Sequence, residues 1–127
     1  MGQRNMSLKE TLLAKMNRQY TSEEIAGVLY WFQSMTPAES MNCSLEATDI
    51  KTGKYIPAKF TSMQAKQLAY SLVDGDGGQR LFGDDEWQKL QNLDNKTFHA
   101  LYKASEKVNG KGADVEEAVG ESDSPTS

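Results

Sequence analysis

Histidine and cysteine are nearly missing from this chain: His99 and Cys43 are the only ones among its 127 residues. A lone cysteine closes no intramolecular disulfide and builds no thiolate cluster, which fits a reducing compartment. A lone histidine removes metal sites built on paired imidazoles. A Cys43–His99 nucleophile pair would need the fold to bring the two together, and nothing in the sequence does so. No apolar run approaches the ~20 residues that span a bilayer, and a quarter of the chain is charged. We therefore expect a soluble protein. The start, Met1-Gly2-Gln3-Arg4-Asn5-Met6, has no apolar signal core, and Met6 stands where a myristoylation pattern wants Ser or Thr.

Charge is short on one sign only at the C-terminal end. Five of the 18 acids (Asp114, Glu116, Glu117, Glu121, Asp123) and one of the 14 bases (Lys111) fall in residues 110–127, which leaves thirteen of each in residues 1–109. A neutral body lacks the basic footprint that phosphate backbones require, so nucleic-acid binding is not expected. Residues 110–127 also lack aromatics. The sequence predicts one domain over 1–109 and a disordered acidic tail over 110–127.

Helix signals dominate what is present. Ser7-Leu8-Lys9-Glu10 is a capping-box pattern, in which the Ser hydroxyl and Glu carboxylate satisfy orphan N–H groups. It opens a helix over 8–19 whose Leu8, Leu12, Leu13, Met16 and Tyr20 make a core-facing seam. Thr21-Ser22-Glu23-Glu24 repeats the device, and Ile25, Val28, Leu29, Phe32 and Met35 follow at amphipathic helical spacing, so a second helix is expected over 22–35. Tyr30 and Trp31 fall off that face. Either they widen the buried surface or they form an aromatic patch for a partner.

Thr36-Pro37-Ala38-Glu39 caps a short helix to about residue 42. Residues 44–58 leave two readings open: a β-hairpin centred on Lys51-Thr52-Gly53-Lys54, or helix through Asp49 stopped by Gly53. Thr61 begins the next helix, which runs to Val73. Asp74, Gly75, Asp76, Gly77 and Gly78 end it as a structural turn. Asp84 caps a helix holding Trp87 and Leu90. Asp94 caps the last, with Phe98, Leu101, Tyr102, Ser105 and Val108 on one side and Asn109-Gly110 as its stop. The fold class expected is mainly α, a small bundle of about five short helices with a hairpin near 44–58 as the open addition.

The turn at Asp74 is not a calcium loop. Counting from Asp74, position five is Gly78, position six is Gln79 where glycine is needed, and position twelve is Asp85 rather than Glu. It also lacks the Lys and Ser/Thr of a phosphate cradle. No metal, cofactor or catalytic residue is expected. Tyr30, Trp31 and Trp87 are the candidate partner contacts.

One stretch resembles a known family. Ala69-Tyr70-Ser71-Leu72-Val73-Asp74-Gly75-Asp76-Gly77, then Leu81-Phe82, then Trp87 and Leu90, then Phe98 to Asn109, looks like the end of the tail assembly chaperones of long-tailed, siphovirus-type bacteriophages. The likeness covers residues 61–109. It implies a non-enzymatic, homo-oligomeric chaperone in the host bacterial cytoplasm that binds the tape-measure protein and helps recruit tail-tube subunits, and that is absent from the mature virion. It also implies a longer product made by programmed frameshifting, for which Gly110 and Lys111 are the candidate junction. Without the resemblance, the residues alone read as a generic helical protein–protein adaptor or small regulatory protein.

Overall fold

The computed structural model describes residues 7–110 and is a mixed α/β fold. This corrects the mainly-α expectation. Among the described residues, α1 spans Leu8–Ala14, β1 Tyr20–Ile25, β2 Val28–Gln33, α2 Pro37–Glu46, α3 Phe60–Ser71, β3 Leu72–Val73 and α4 Asn95–Val108. Two 3-10 helices, Pro57–Lys59 and Trp87–Asn92, precede α3 and α4.

The second expected helix is instead the β1–β2 hairpin. Ala26 (φ 53) and Gly27 (φ 81) take positive φ in succession between Ile25 and Val28, which pair across the turn. That two-residue geometry has the right twist to join antiparallel strands, and glycine adopts it at no steric cost. Val28, Tyr30, Trp31 and Phe32 then favour the pleated surface that β-branched and aromatic side chains suit. Residues 28, 30 and 32 point one way, so Phe32 is fully buried while Tyr30 and Ile25 pack at the core's edge. β3 completes the sheet in the order β1-β2-β3, with Trp31 opposite Val73 and Phe32 opposite Leu72.

Residues 44–58 fall between the two readings. Helix α2 continues through Glu46, and a single antiparallel bridge, Thr48 to Tyr55, closes the loop that follows in place of two strands. Gly53, at φ 73, makes the reversal, donating from its N–H to the Asp49 carbonyl. The segment expected to be helical from Asp84 is the 3-10 turn from Trp87, and α3 starts at Phe60 without a side-chain cap.

The core lies where the sheet meets α3 and α4. Phe32, Leu68, Leu72, Leu90, Phe98 and Leu101 form its centre. Buried amides serve it: Gln33 Nε2 donates to the Tyr70 carbonyl at 2.8 Å, and Gln67 Nε2 to Ser105 Oγ at 2.9 Å and Glu106 Oε2 at 2.8 Å. These bonds give buried polar atoms the partners that their loss of water demands.

Candidate functional site

Helix α1 forms as its sequence directs and buries none of its residues. Ser7 Oγ accepts from the Glu10 N–H at 3.1 Å, and Glu10 Oε1 accepts from the Ser7 N–H at 2.9 Å, completing the capping box. The helix stops after seven residues, and none of them is buried. Leu8, Leu12, Leu13 and Met16 are 83%, 62%, 50% and 73% exposed. The expected core seam is therefore an uncovered apolar face. Its physical signature is in the sequence: at ~100° per residue, Lys9 falls between Met16 and Leu13, and a buried seam cannot hold an unpaired ammonium cheaply.

The chain after α1 is nonetheless tethered. Arg18 grips Glu39 with two parallel bonds, Nη1 to Oε1 at 2.7 Å and Nη2 to Oε2 at 2.8 Å, and Nη1 also donates to the Ser34 carbonyl at 2.9 Å. Glu39 Oε1 accepts in turn from the Thr36 N–H at 3.0 Å as part of the α2 capping box. Burial pushes the Glu39 carboxyl up, but the Arg18 bond, the Thr36 amide and the Arg18 charge outweigh it and hold the group below the usual carboxylate range. Beside this anchor opens a cleft of about 400 Å³ lined by Lys15, Met16, Arg18, Met35 and Pro37 among others. Met16, the last exposed residue of the expected seam, lines this cleft.

The aromatic candidates do not converge. Tyr30 and Trp31 are adjacent on β2 and so lie on opposite faces of the sheet. Tyr30 packs against the core, and Trp31, half-buried, stands opposite Ser22 and Val73. Trp87 opens its 3-10 helix, packs on the core, and has Lys66 Nζ 6.0 Å from its ring centroid. It borders a second cleft of about 310 Å³ with Lys66, Tyr70, Arg80 and Asp84. The cations there are already engaged: Arg80 lies 4.8 Å from the Tyr70 ring and donates to the Ala69 carbonyl and Asp84, while Lys66 pairs with Glu46 at 3.3 Å. That cleft fastens α3 to its neighbours.

Residues 74–78 form a closed turn. Asp74 Oδ1 accepts from the Gln79 N–H at 2.9 Å, the Asp74 N–H donates to the Gln79 carbonyl at 3.0 Å, and Gly77 sits at φ 71. A Cβ on Gly78 would lie 2.7 Å from the Gly75 nitrogen and would strike the Asp74 carboxylate. Val73 then bridges Arg80, returning the chain toward the core. Among the described residues, no three His, Cys, Asp or Glu side chains gather closely enough to hold a metal ion. His99 is exposed on α4 in a T-shaped contact with Phe98, and Cys43 is buried in α2.

No family model, curated protein or solved structure matches this chain.

No helix among the described residues is long and apolar enough to cross a membrane. Gly110, at φ 78, closes α4 as a left-handed residue, while Lys111 and the acidic segment lie outside the described residues. The surface that the aromatic candidates missed is the one on α1, together with Val28 and Leu29 at the exposed hairpin tip.

Proposed function

We propose that this chain is a non-enzymatic tail assembly chaperone of a long-tailed bacteriophage, working in the cytoplasm of the infected bacterium. The observation that carries the reading is the uncovered apolar face of α1. Full burial of one leucine is worth about 1.5–3 kcal/mol, and this face offers Leu8, Leu12 and Leu13 with Met16 beside them. Such a face suits capture of an apolar helix, and many weak captures along one extended partner add up through multivalency. The tape-measure protein, long and helical in the phages concerned, is that partner in this reading, and the resemblance over 61–109 supports it. Self-association would array several copies along the partner, and a longer product shifted at Gly110-Lys111 would recruit tail-tube subunits.

Co-expression with the tape-measure protein of the same genome tests the reading. The full chain should raise that protein's soluble yield and co-purify with it, and Leu12→Asp with Met16→Asp should abolish both effects. Unchanged yield without co-purification overturns it, and capture of a different helix partner favours the general adaptor.

A further inference from the structure

We infer that β1 is where two copies of this chain join, edge to edge and antiparallel, about a two-fold axis at Ser22. β1 is the outer strand of the sheet, whose order is β1-β2-β3. The Ser34 N–H donates to the Gln19 carbonyl at 2.9 Å, which makes residues 19 and 34 a bonded pair. Bonded and non-bonded pairs alternate along an antiparallel ladder, so Thr21, Glu23 and Ile25 turn their backbone groups to Phe32, Tyr30 and Val28. Tyr20, Ser22 and Glu24 turn theirs outward, where no backbone group of the described residues meets them. Such an edge is a template for another strand unless proline, lysine or a bulge blunts it. Residues 20–25 hold no proline and no lysine, and their register with β2 runs unbroken.

The edge matches itself in one register. Centred on Ser22, an antiparallel pair of β1 strands bonds Ser22 to Ser22, and Tyr20 of each copy to Glu24 of the other, so every outward N–H and C=O of β1 is used. Between those pairs, Thr21 of each copy faces Glu23 of the other, and no carboxylate stands directly opposite another. Moving the centre by one residue either way leaves outward groups unpaired, and a centre on Glu23 or Glu24 sets carboxylate against carboxylate, which is destabilising across strands. Glu23 also faces Lys107 of α4 at 3.7 Å, which lowers the charge it brings to the junction. This self-match makes the occupant a second copy rather than a foreign strand, and a contact of this kind closes at two copies.

The joined sheet runs β3-β2-β1 and then β1-β2-β3. Directly opposite residues share a face, so the Thr21–Glu23 pairs put the core sides of both copies on the same side of that sheet. Residues 15–19 are all that separate α1 from β1, and the pair therefore carries two α1 faces on one body. Two linked faces hold an extended partner more tightly than either face alone. That consequence rests on the chaperone reading; the strand pairing itself does not.

Disulfide trapping in the full chain reads the axis directly. Opposite Cα atoms of a bonded antiparallel pair stand ~5.5 Å apart, inside the ~4.4–6.8 Å that a disulfide spans. Cys43 is only 4% exposed, which leaves a new surface thiol to react. Under mild oxidation Ser22→Cys should run mostly as a covalent dimer on a non-reducing gel, and Glu24→Cys, whose two thiols fall at opposite ends of the junction, should give severalfold less. In sedimentation the unaltered chain should be a dimer. Ser22→Pro, whose lost N–H faces outward and spares the β1–β2 ladder, should be a monomer. Ser22→Lys sets two ammonium groups at the axis without touching the core, should raise the dissociation constant severalfold, and decides the matter if Ser22→Pro fails to fold. Three results overturn the inference: a monomeric unaltered chain, equal trapping at 22 and 24, or a dimer that Ser22→Lys leaves unchanged, as it would be if the α1 faces held it together. None of these depends on a tape-measure protein, so failure here is separable from failure of the co-expression test.

Discussion

Helices α1 and α4 open alike and end differently. Each starts on a side-chain cap, Ser7 accepting from the Glu10 N–H and Asp94 accepting from the Thr97 N–H at 3.0 Å, and each carries apolar residues at helical spacing. α4 buries Phe98, Leu101, Ala104, Ser105 and Val108; α1 buries none. A cap and a stripe specify a helix with an apolar side, but what covers that side is decided elsewhere in the chain. For α4 the cover is α3 and the β1–β2 hairpin. α1 ends at Ala14, and Arg18 then draws the chain to α2 before anything crosses its face.

The largest test of this contrast is truncation in α4. Phe98→Ala should cost about 3–5 kcal/mol, the range for removing a buried aromatic, read as a lowered midpoint in urea denaturation. A cost under about 1 kcal/mol would mean that α4 is no more committed to the core than α1. Next is the turn that sends the chain from β3 back toward that core. Gly78→Ala places a methyl against the Gly75 backbone, where no flexible side chain can yield, and should cost about 1–3 kcal/mol. Gly75→Ala meets no atom within 4 Å and is the matched control.

The parts of the fold legible in sequence are those set by neighbours in the chain. The caps at Ser7, Thr36 and Asp94 form as their residue types require, and the α4 stripe is buried as its period predicts. The 22–35 segment misled because Ile25, Val28, Leu29 and Phe32 satisfy a helical period while Val28, Tyr30 and Phe32 satisfy a strand period. Ala26-Gly27 broke the tie, together with a strand partner at Leu72–Val73 forty residues away in sequence. The candidate site was legible only in part. Large aromatics draw attention to Tyr30, Trp31 and Trp87, yet which way each points depends on the sheet that periodicity did not reveal. Lys9 inside the α1 stripe was the local sign that this face stays uncovered.

Smaller effects separate the two caps. Asp94→Ala should lower the global denaturation midpoint, whereas Ser7→Ala should leave it unchanged and only speed amide exchange within α1. Acid sharpens the same difference. The Thr97 hydroxyl and amide hold the Asp94 carboxyl below its ordinary value, as Arg18 does for Glu39 against the opposing pull of burial. A carboxyl depressed in the folded state adds stability above its unfolded pKa of ~4, and that stability drains as pH falls through the lower folded value. The urea midpoint should therefore fall below pH ~4, and Asp94→Asn should flatten part of the descent. A profile in Asp94→Asn identical to that of the unaltered chain would remove the Asp94 cap from the account.

The smallest effect on stability is expected where the effect on binding is greatest. Leu12→Ser removes an apolar side chain that is already 62% exposed, so the denaturation midpoint should move by no more than about 0.5 kcal/mol equivalent. The same change deletes a central part of the α1 face and puts a hydroxyl where a captured helix would lay its apolar side. Partner co-purification should drop while the urea curve stays in place. If Leu12→Ser instead destabilised the protein as much as Phe98→Ala, α1 would be covered in solution by part of the same fold, and the two helices would no longer differ in kind.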